Sequence, residues 1–241
     1  MSVTIVRGAE RAATRTDWLT SRHSFSFGDN YEPANTHHGV LMAHNEDVVA
    51  PGEGFDTHAH ADTEIITWVL SGSLVHQDSE GHSGVIHPGL AQRMSAGTGI
   101  LHSERNDYAE TADEPVHFVQ MWVMPDEYGL TPGYEQLDIS ADLSPGALVP
   151  VASGAPENHS AIRIANAGAT MYAARLNAGQ SVTVPAGRFT HLFVAMGAVT
   201  ADGENLDMSD ALRADDFGGT TVTARTDSEL LIWSMSKRLG E

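Results

Sequence analysis

Cysteine is absent from this chain of 241 residues. That excludes disulfides and thiolate ligands, and leaves any metal site to nitrogen and oxygen donors. Lysine is nearly absent as well, Lys237 being the single one, and 13 basic residues face 32 acidic ones for a net charge of −19. A chain so charged repels phosphate backbones, which argues against direct nucleic-acid binding; solubility, or a salt-rich cell interior, accounts for the acidity. No apolar run is long enough to span a bilayer, and residues 1–18 mix charge and polarity where a secretory signal would be apolar. The expectation is a soluble cytoplasmic protein without membrane contact. Amphipathic helical periodicity is also missing from the first half.

What the chain does have is short apolar, β-branched stretches punctuated by glycine. Residues 64–70, 74–78, 85–86, 92–96 and 116–124 read as strands, as do 4–6 and 39–43. After a segment at 130–135 (Leu130-Thr131-Pro132-Gly133-Tyr134-Glu135) that reads as a linker, the rhythm resumes at 161–164, 169–176, 180–184, 191–196 and 228–235, with a hairpin at 198–203. Many short strands at close spacing indicate an all-β fold of barrels or sandwiches. The division expected is 1–130 and 131–241, the second half a repeat of the first.

Histidine is unevenly shared: only His159 and His191 lie beyond residue 130, out of 13. Two stretches in the first half concentrate metal-capable side chains at alternate positions. They are Gly54-Phe55-Asp56-Thr57-His58-Ala59-His60 and Gly99-Ile100-Leu101-His102-Ser103-Glu104. On a strand, residues two apart share a face. Two such strands side by side would aim His58, His60, His102 and Glu104 at one point, a nitrogen and oxygen set suited to a divalent transition metal. His23, His37, His38, His44, His76, His82, His87 and His117 read instead as surface or hydrogen-bonding residues. Phe27, Met42, Phe55, Trp68, Gln120 and Trp122 are candidates for either an apolar pocket or the barrel core. The acidic clusters at 207–210 and 215–216 read as solvated turns. In the second half His191 has no ligand-type neighbour two residues away and His159 has only Glu157, with no second motif to meet it, so that repeat is expected to lack a metal.

The first motif, the glycine-terminated strand after it, and Gly99, His102 and Asn106 resemble the two motifs of the cupin superfamily. More narrowly, Arg22-His23-Ser24-Phe25-Ser26-Phe27, the two histidine motifs, 64–72 and Gln120-Met121-Trp122-Val123-Met124-Pro125 resemble the bacterial members of the pirin family. The resemblance implies a bicupin, two cupin barrels packed together, with one metal in the N-terminal barrel. In most cupins a glutamate separated by six residues from the closing glycine of the first motif is a ligand. Here seven residues separate Glu64 from Gly72, a one-residue offset that turns it to the other face, and leaves the carboxylate to Glu104. The family further implies iron(II) as the metal, with copper, nickel, manganese, cobalt or zinc also compatible. It implies quercetin 2,3-dioxygenase activity, in which a flat flavonol is opened by O₂ with release of carbon monoxide, and Glu104 is then the candidate general base. Pirins of higher organisms act as redox-switched transcription cofactors. A metal-sensing regulator that binds a protein partner is therefore the alternative, and isomerisation of a hydroxy-carbonyl compound is a third reading.

Overall fold

The computed structural model describes residues 2–109, 111 and 113–241. Among these the regular structure is 22 strands and one 3-10 turn, Gly8–Glu10. The strands form two seven-stranded and two four-stranded sheets. In the front half, the large sheet runs Gly133–Asp138, Leu90–Ser95, Glu64–Ser71, Val116–Val123, Leu41–Val49, Leu19–His23, Ala12–Arg15. Its small sheet runs Gly54–His60, Ile100–Arg105, Leu74–Asp78, Ser83–Ile86. The rear half repeats the plan. Its large sheet runs Ser2–Val6, Ala211–Phe217, Gly187–Met196, Ser228–Met235, Ala169–Leu176, Leu148–Ser153, Ile162–Arg163, and its small one Ser181–Val184, Thr220–Ala224, Ala198–Ala201, Glu204–Asp207. The molecule is an all-β bicupin.

Two strands cross the division drawn at residue 130. Ser2–Val6 pairs with Ala211–Phe217 at the edge of the rear sheet, in the place that Gly133–Asp138 holds against Leu90–Ser95 in front. The expected linker at 130–135 is thus corrected: from Gly133 on it is an edge strand. Its reason is packing, because the Tyr134 ring lies against His76 (4.9 Å) and His82 (5.5 Å).

Alternation along the strands explains how one sheet serves two cores. On Glu64–Ser71, Ile66, Trp68 and Leu70 face the rear half, whereas Ile65 and Val69 fill the front barrel. On Ser228–Met235, Leu231 and Trp233 face forward, and Leu230 and Ile232 fill the rear barrel. The two large sheets therefore pack face to face through Trp68, Met121, Phe193 and Trp233, each wholly buried. Burial of a side chain of this size contributes roughly 2 to 3 kcal/mol. The two indole N–H groups are satisfied, Trp68 Nε1 donating to Glu229 Oε1 at 2.6 Å and Trp233 Nε1 to Met121 Sδ at 3.2 Å.

Polar side chains also cross the seam. Glu46 accepts from Arg11 (2.8 Å) and from Ser209 Oγ (2.8 Å), and contacts His117 Nε2 (3.2 Å). Burial raises its pKa, but those hydrogen bonds and the Arg11 charge outweigh burial and bring it down to about 2. His44 and His191, expected at the surface or in simple hydrogen bonds and as a stray rear histidine, are both fully buried at the seam, their rings 4.7 Å apart. The rear barrel interior is aliphatic, lined by Leu192, Val194, Leu206, Leu212 and Val222 among others.

Candidate metal centre

Gly54–His60 and Ile100–Arg105 lie antiparallel, with His58 opposite His102 and His60 opposite Ile100. This register brings three imidazoles together: the ring centroids of His58 and His102 are 4.4 Å apart, His58 and His60 4.9 Å, His60 and His102 5.0 Å. One ring nitrogen from each lies within 4.8 Å of the others. A register shift separates His102 from Glu104, and Glu104 groups with His102 and His76, again within 4.8 Å. The four residues singled out by spacing thus form two overlapping triads that share His102, and a fifth residue, His76, joins the inner one.

These nitrogens suit a cation. His58 Nδ1 lies 2.8 Å from the Asp56 carbonyl oxygen, so it carries the proton and leaves Nε2 with a lone pair. His60 Nε2 and both ring nitrogens of His102 are buried without a hydrogen-bond partner among the described residues. Burial, and then the charges of His58 and His76, push His102 down to about 3; burial, then His102 and His58, push His60 down to about 4. Both rings are neutral at ordinary pH. Buried lone pairs left unpaired are costly, and a divalent ion is what three neutral imidazoles beside one carboxylate would satisfy.

Glu104 is 2% exposed and is held by Gln120, whose Nε2 lies 2.8 Å from each carboxylate oxygen. Trp122 Nε1 donates to Gln120 Oε1 at 3.1 Å, which fixes the amide the right way round for this. Glu64 is engaged elsewhere, accepting from Ser95 Oγ (2.9 Å) and from the backbone N–H of Ala165 (3.1 Å) in the rear half.

The centre opens into a cavity of about 430 Å³. Of the aromatic candidates, Phe27, Phe55 and Trp122 line it with Gln120, whereas Trp68 points into the seam and Met42 is not among the lining residues. Trp18, not foreseen, is T-shaped against Phe55 at 5.4 Å. A second run of rings leads away from the imidazoles: Trp122 on His60 (4.9 Å), Phe27 on Trp122 (5.3 Å), His23 stacked on Phe27 (5.1 Å). His23 Nδ1 faces Asn45 Oδ1 at 3.0 Å and its Nε2 faces Thr14 Oγ1 at 2.9 Å. With Asn45 Oδ1 as the acceptor, Nδ1 carries the hydrogen and Nε2 takes the Thr14 hydroxyl proton, so Thr14 Oγ1 at the rim is free to accept from a ligand. Asp47 also lines the cavity; burial raises its carboxyl, a Ser21 hydrogen bond opposes this, and the Glu104 charge adds to it, for a value of about 7.

Asp47 gave no signal in the sequence beyond its residue type, and His23 only its place in the stretch 22–27 that resembles the pirins. His76 did: His76-Gln77-Asp78 repeats the alternate spacing of the two motifs.

The family model described as Pirin matches residues 6–123, and the one described as Quercetinase C-terminal cupin domain matches 151–235. A Mycobacterium bovis protein named "Putative quercetin 2,3-dioxygenase" is 54% identical over 241 residues, covering 100% of this chain and 98% of its own. The protein named quercetin 2,3-dioxygenase of Escherichia coli K12 is 37% identical over 233 residues, covering 94% and 95%. The crystal structure of the bacterial pirin YhhW from Escherichia coli in complex with nickel(II) superposes with a TM-score of 0.88 at 33% identity, over 98% of this chain and 100% of that one.

Proposed function

The chain belongs to the pirin family, and from that premise we propose that it is a metal-dependent dioxygenase that opens a flavonol such as quercetin with O₂. The observation that carries this reading is the cluster of buried, unpartnered imidazole nitrogens at the floor of an aromatic-walled cavity. His58, His60, His102 and Glu104 are the proposed ligands, and iron(II) is the proposed ion; the nickel(II) complex of YhhW supports a divalent metal of this size and softness. When bound, such an ion supplies positive charge that lowers the pKa of a flavonol hydroxyl and favours its anion.

The remaining work falls to the protein. Trp122 and Phe27, together with Trp18 and Phe55, flank a flat ring system and keep water from it. Glu104 accepts the hydroxyl proton, and Gln120 holds its carboxylate in place while the proton arrives. Thr14 Oγ1, its own proton committed to His23, receives a ring hydroxyl at the outer end. Oxygen uptake with quercetin tests the assignment. In Glu104→Gln, kcat is expected to fall by about 100-fold or more, the range of a lost general base. Undiminished turnover would remove Glu104 from that role. Product formed from a hydroxy-carbonyl substrate without O₂ would replace the dioxygenase reading with an isomerase.

A further inference from the structure

His76 sits on Leu74–Asp78, which pairs with Ile100–Arg105 on the side away from Gly54–His60, and the register sets His76 opposite Glu104. It is 1% exposed. Its Nε2 lies 3.3 Å from Asp78 Oδ2. A carboxylate can only accept, so the hydrogen is on Nε2 and Nδ1 keeps a lone pair. That Nδ1 is buried and has no partner among the described residues.

Asp78 is itself clamped. Its Oδ1 accepts the backbone N–H groups of Glu80 and His82, both at 3.0 Å, and its Oδ2 faces His82 Nδ1 at 3.0 Å. Tyr134 covers both rings. On the adjoining strand, the His102 ring is 5.4 Å from that of His76. His102 can give one nitrogen to an ion; the other then carries hydrogen and needs an acceptor. For His58 the corresponding N–H is served by the Asp56 carbonyl. His102 has no such carbonyl among the described residues, and a ring nitrogen of the neighbouring His76 lies within 4.8 Å of one of its own.

We propose that His76, anchored by Asp78, is a positioning residue: its Nδ1 accepts the N–H of His102 and so fixes the tautomer and aim of that ligand. The inference rests on the metal-centre reading, and is independent of whether the substrate is a flavonol.

Cobalt(II) titrated into chelator-stripped protein tests it, with affinity from competition against a chelator and geometry from the visible absorption bands. The informative variant is Asp78→Asn. The backbone N–H groups of Glu80 and His82 keep the amide oxygen, so the NH₂ turns to His76 Nε2, drives the hydrogen to Nδ1, and sets two N–H groups against each other. Cobalt(II) should bind about 10- to 100-fold more weakly, with shifted bands and an unchanged melting temperature of the metal-free protein. His76→Phe should lose affinity to a similar degree, and His76→Gln, whose amide oxygen can accept, should recover most of it. Wild-type affinity and bands in both Asp78→Asn and His76→Phe would overturn the proposal. So would tight cobalt(II) binding that survives His58→Ala with His60→Ala and is lost on adding His76→Phe, since His76 would then be a ligand. Loss of quercetin turnover with cobalt(II) binding unaltered would count against the positioning role and leave the dioxygenase reading standing.

Discussion

At position 54 the neighbouring strand leaves room for a hydrogen and nothing more. A Cβ there would stand 2.3 Å from the Glu104 carbonyl oxygen and 2.6 Å from Arg105 Cα. Both are backbone atoms, so the strands bearing His58, His60 and His102 would have to part. Gly54→Ala is expected to weaken cobalt(II) binding by about tenfold, read by chelator competition, with the fold retained by circular dichroism. Spacing alone grouped His58, His60 and His102, because alternation is the one geometric rule a strand obeys without tertiary help. The same rule applied to His76 and Asp78 would have reached the inner side of the centre. No local rule could reach His23, Asp47 or Gln120 in their actual roles, since each depends on a partner from another strand, Thr14 for His23 and Glu104 for Asp47 and Gln120.

Strands were legible where both faces are buried. Ala169–Leu176 and Ser228–Met235 stand out for the apolar runs 171–174 and 230–233 because they lie near the middle of a sheet with a core on each side. The strands that escaped notice carry polar residues with private partners. Ala211–Phe217 contains Arg213, which lies 4.2 Å over the Phe25 ring, and Asp215, which accepts from Ser2 Oγ. The hairpin expected at 198–203 was legible from chemistry instead, and its return strand runs on to Asp207: Asp202 and Gly203 both have positive φ, 50° and 79°, which Asp-Gly supplies at little cost. Edge strand Ser2–Val6 packs Val3 and Ile5 on the rear core. Their joint replacement by serine is expected to cost about 2 kcal/mol and to lower the melting temperature by roughly 4 to 8 °C, measured by thermal denaturation, with cobalt(II) affinity in the front barrel unchanged.

Across the whole molecule, the buried seam makes stability depend on pH. Burial, and then the Arg11 charge, push His44 down to about 3, while burial, His44 and Arg213 push His191 well below its ordinary range. Unfolded, both titrate near 6.5. The unfolded chain therefore binds more protons than the native one below pH 6.5, and stability falls as pH falls through that window. From pH 7 to 5 His44 alone removes roughly 2 kcal/mol, and His191 acts in the same direction. Asp47, raised to about 7, acts in the opposite sense between its unfolded value and 7 and offsets part of this; His60 and His102 in the metal-free protein add to the loss. Urea denaturation of metal-free protein should show a lower midpoint at pH 5 than at pH 7, and a flat profile would contradict a neutral seam. The metal-dioxygenase assignment meets its most direct test in a gas balance: O₂ consumed and carbon monoxide released per quercetin, by chelator-stripped protein before and after one equivalent of iron(II). The predicted result is equimolar uptake and release that appears only with the metal and is absent from His102→Ala. Equal turnover by the stripped protein, or none by the iron-loaded one, would contradict it.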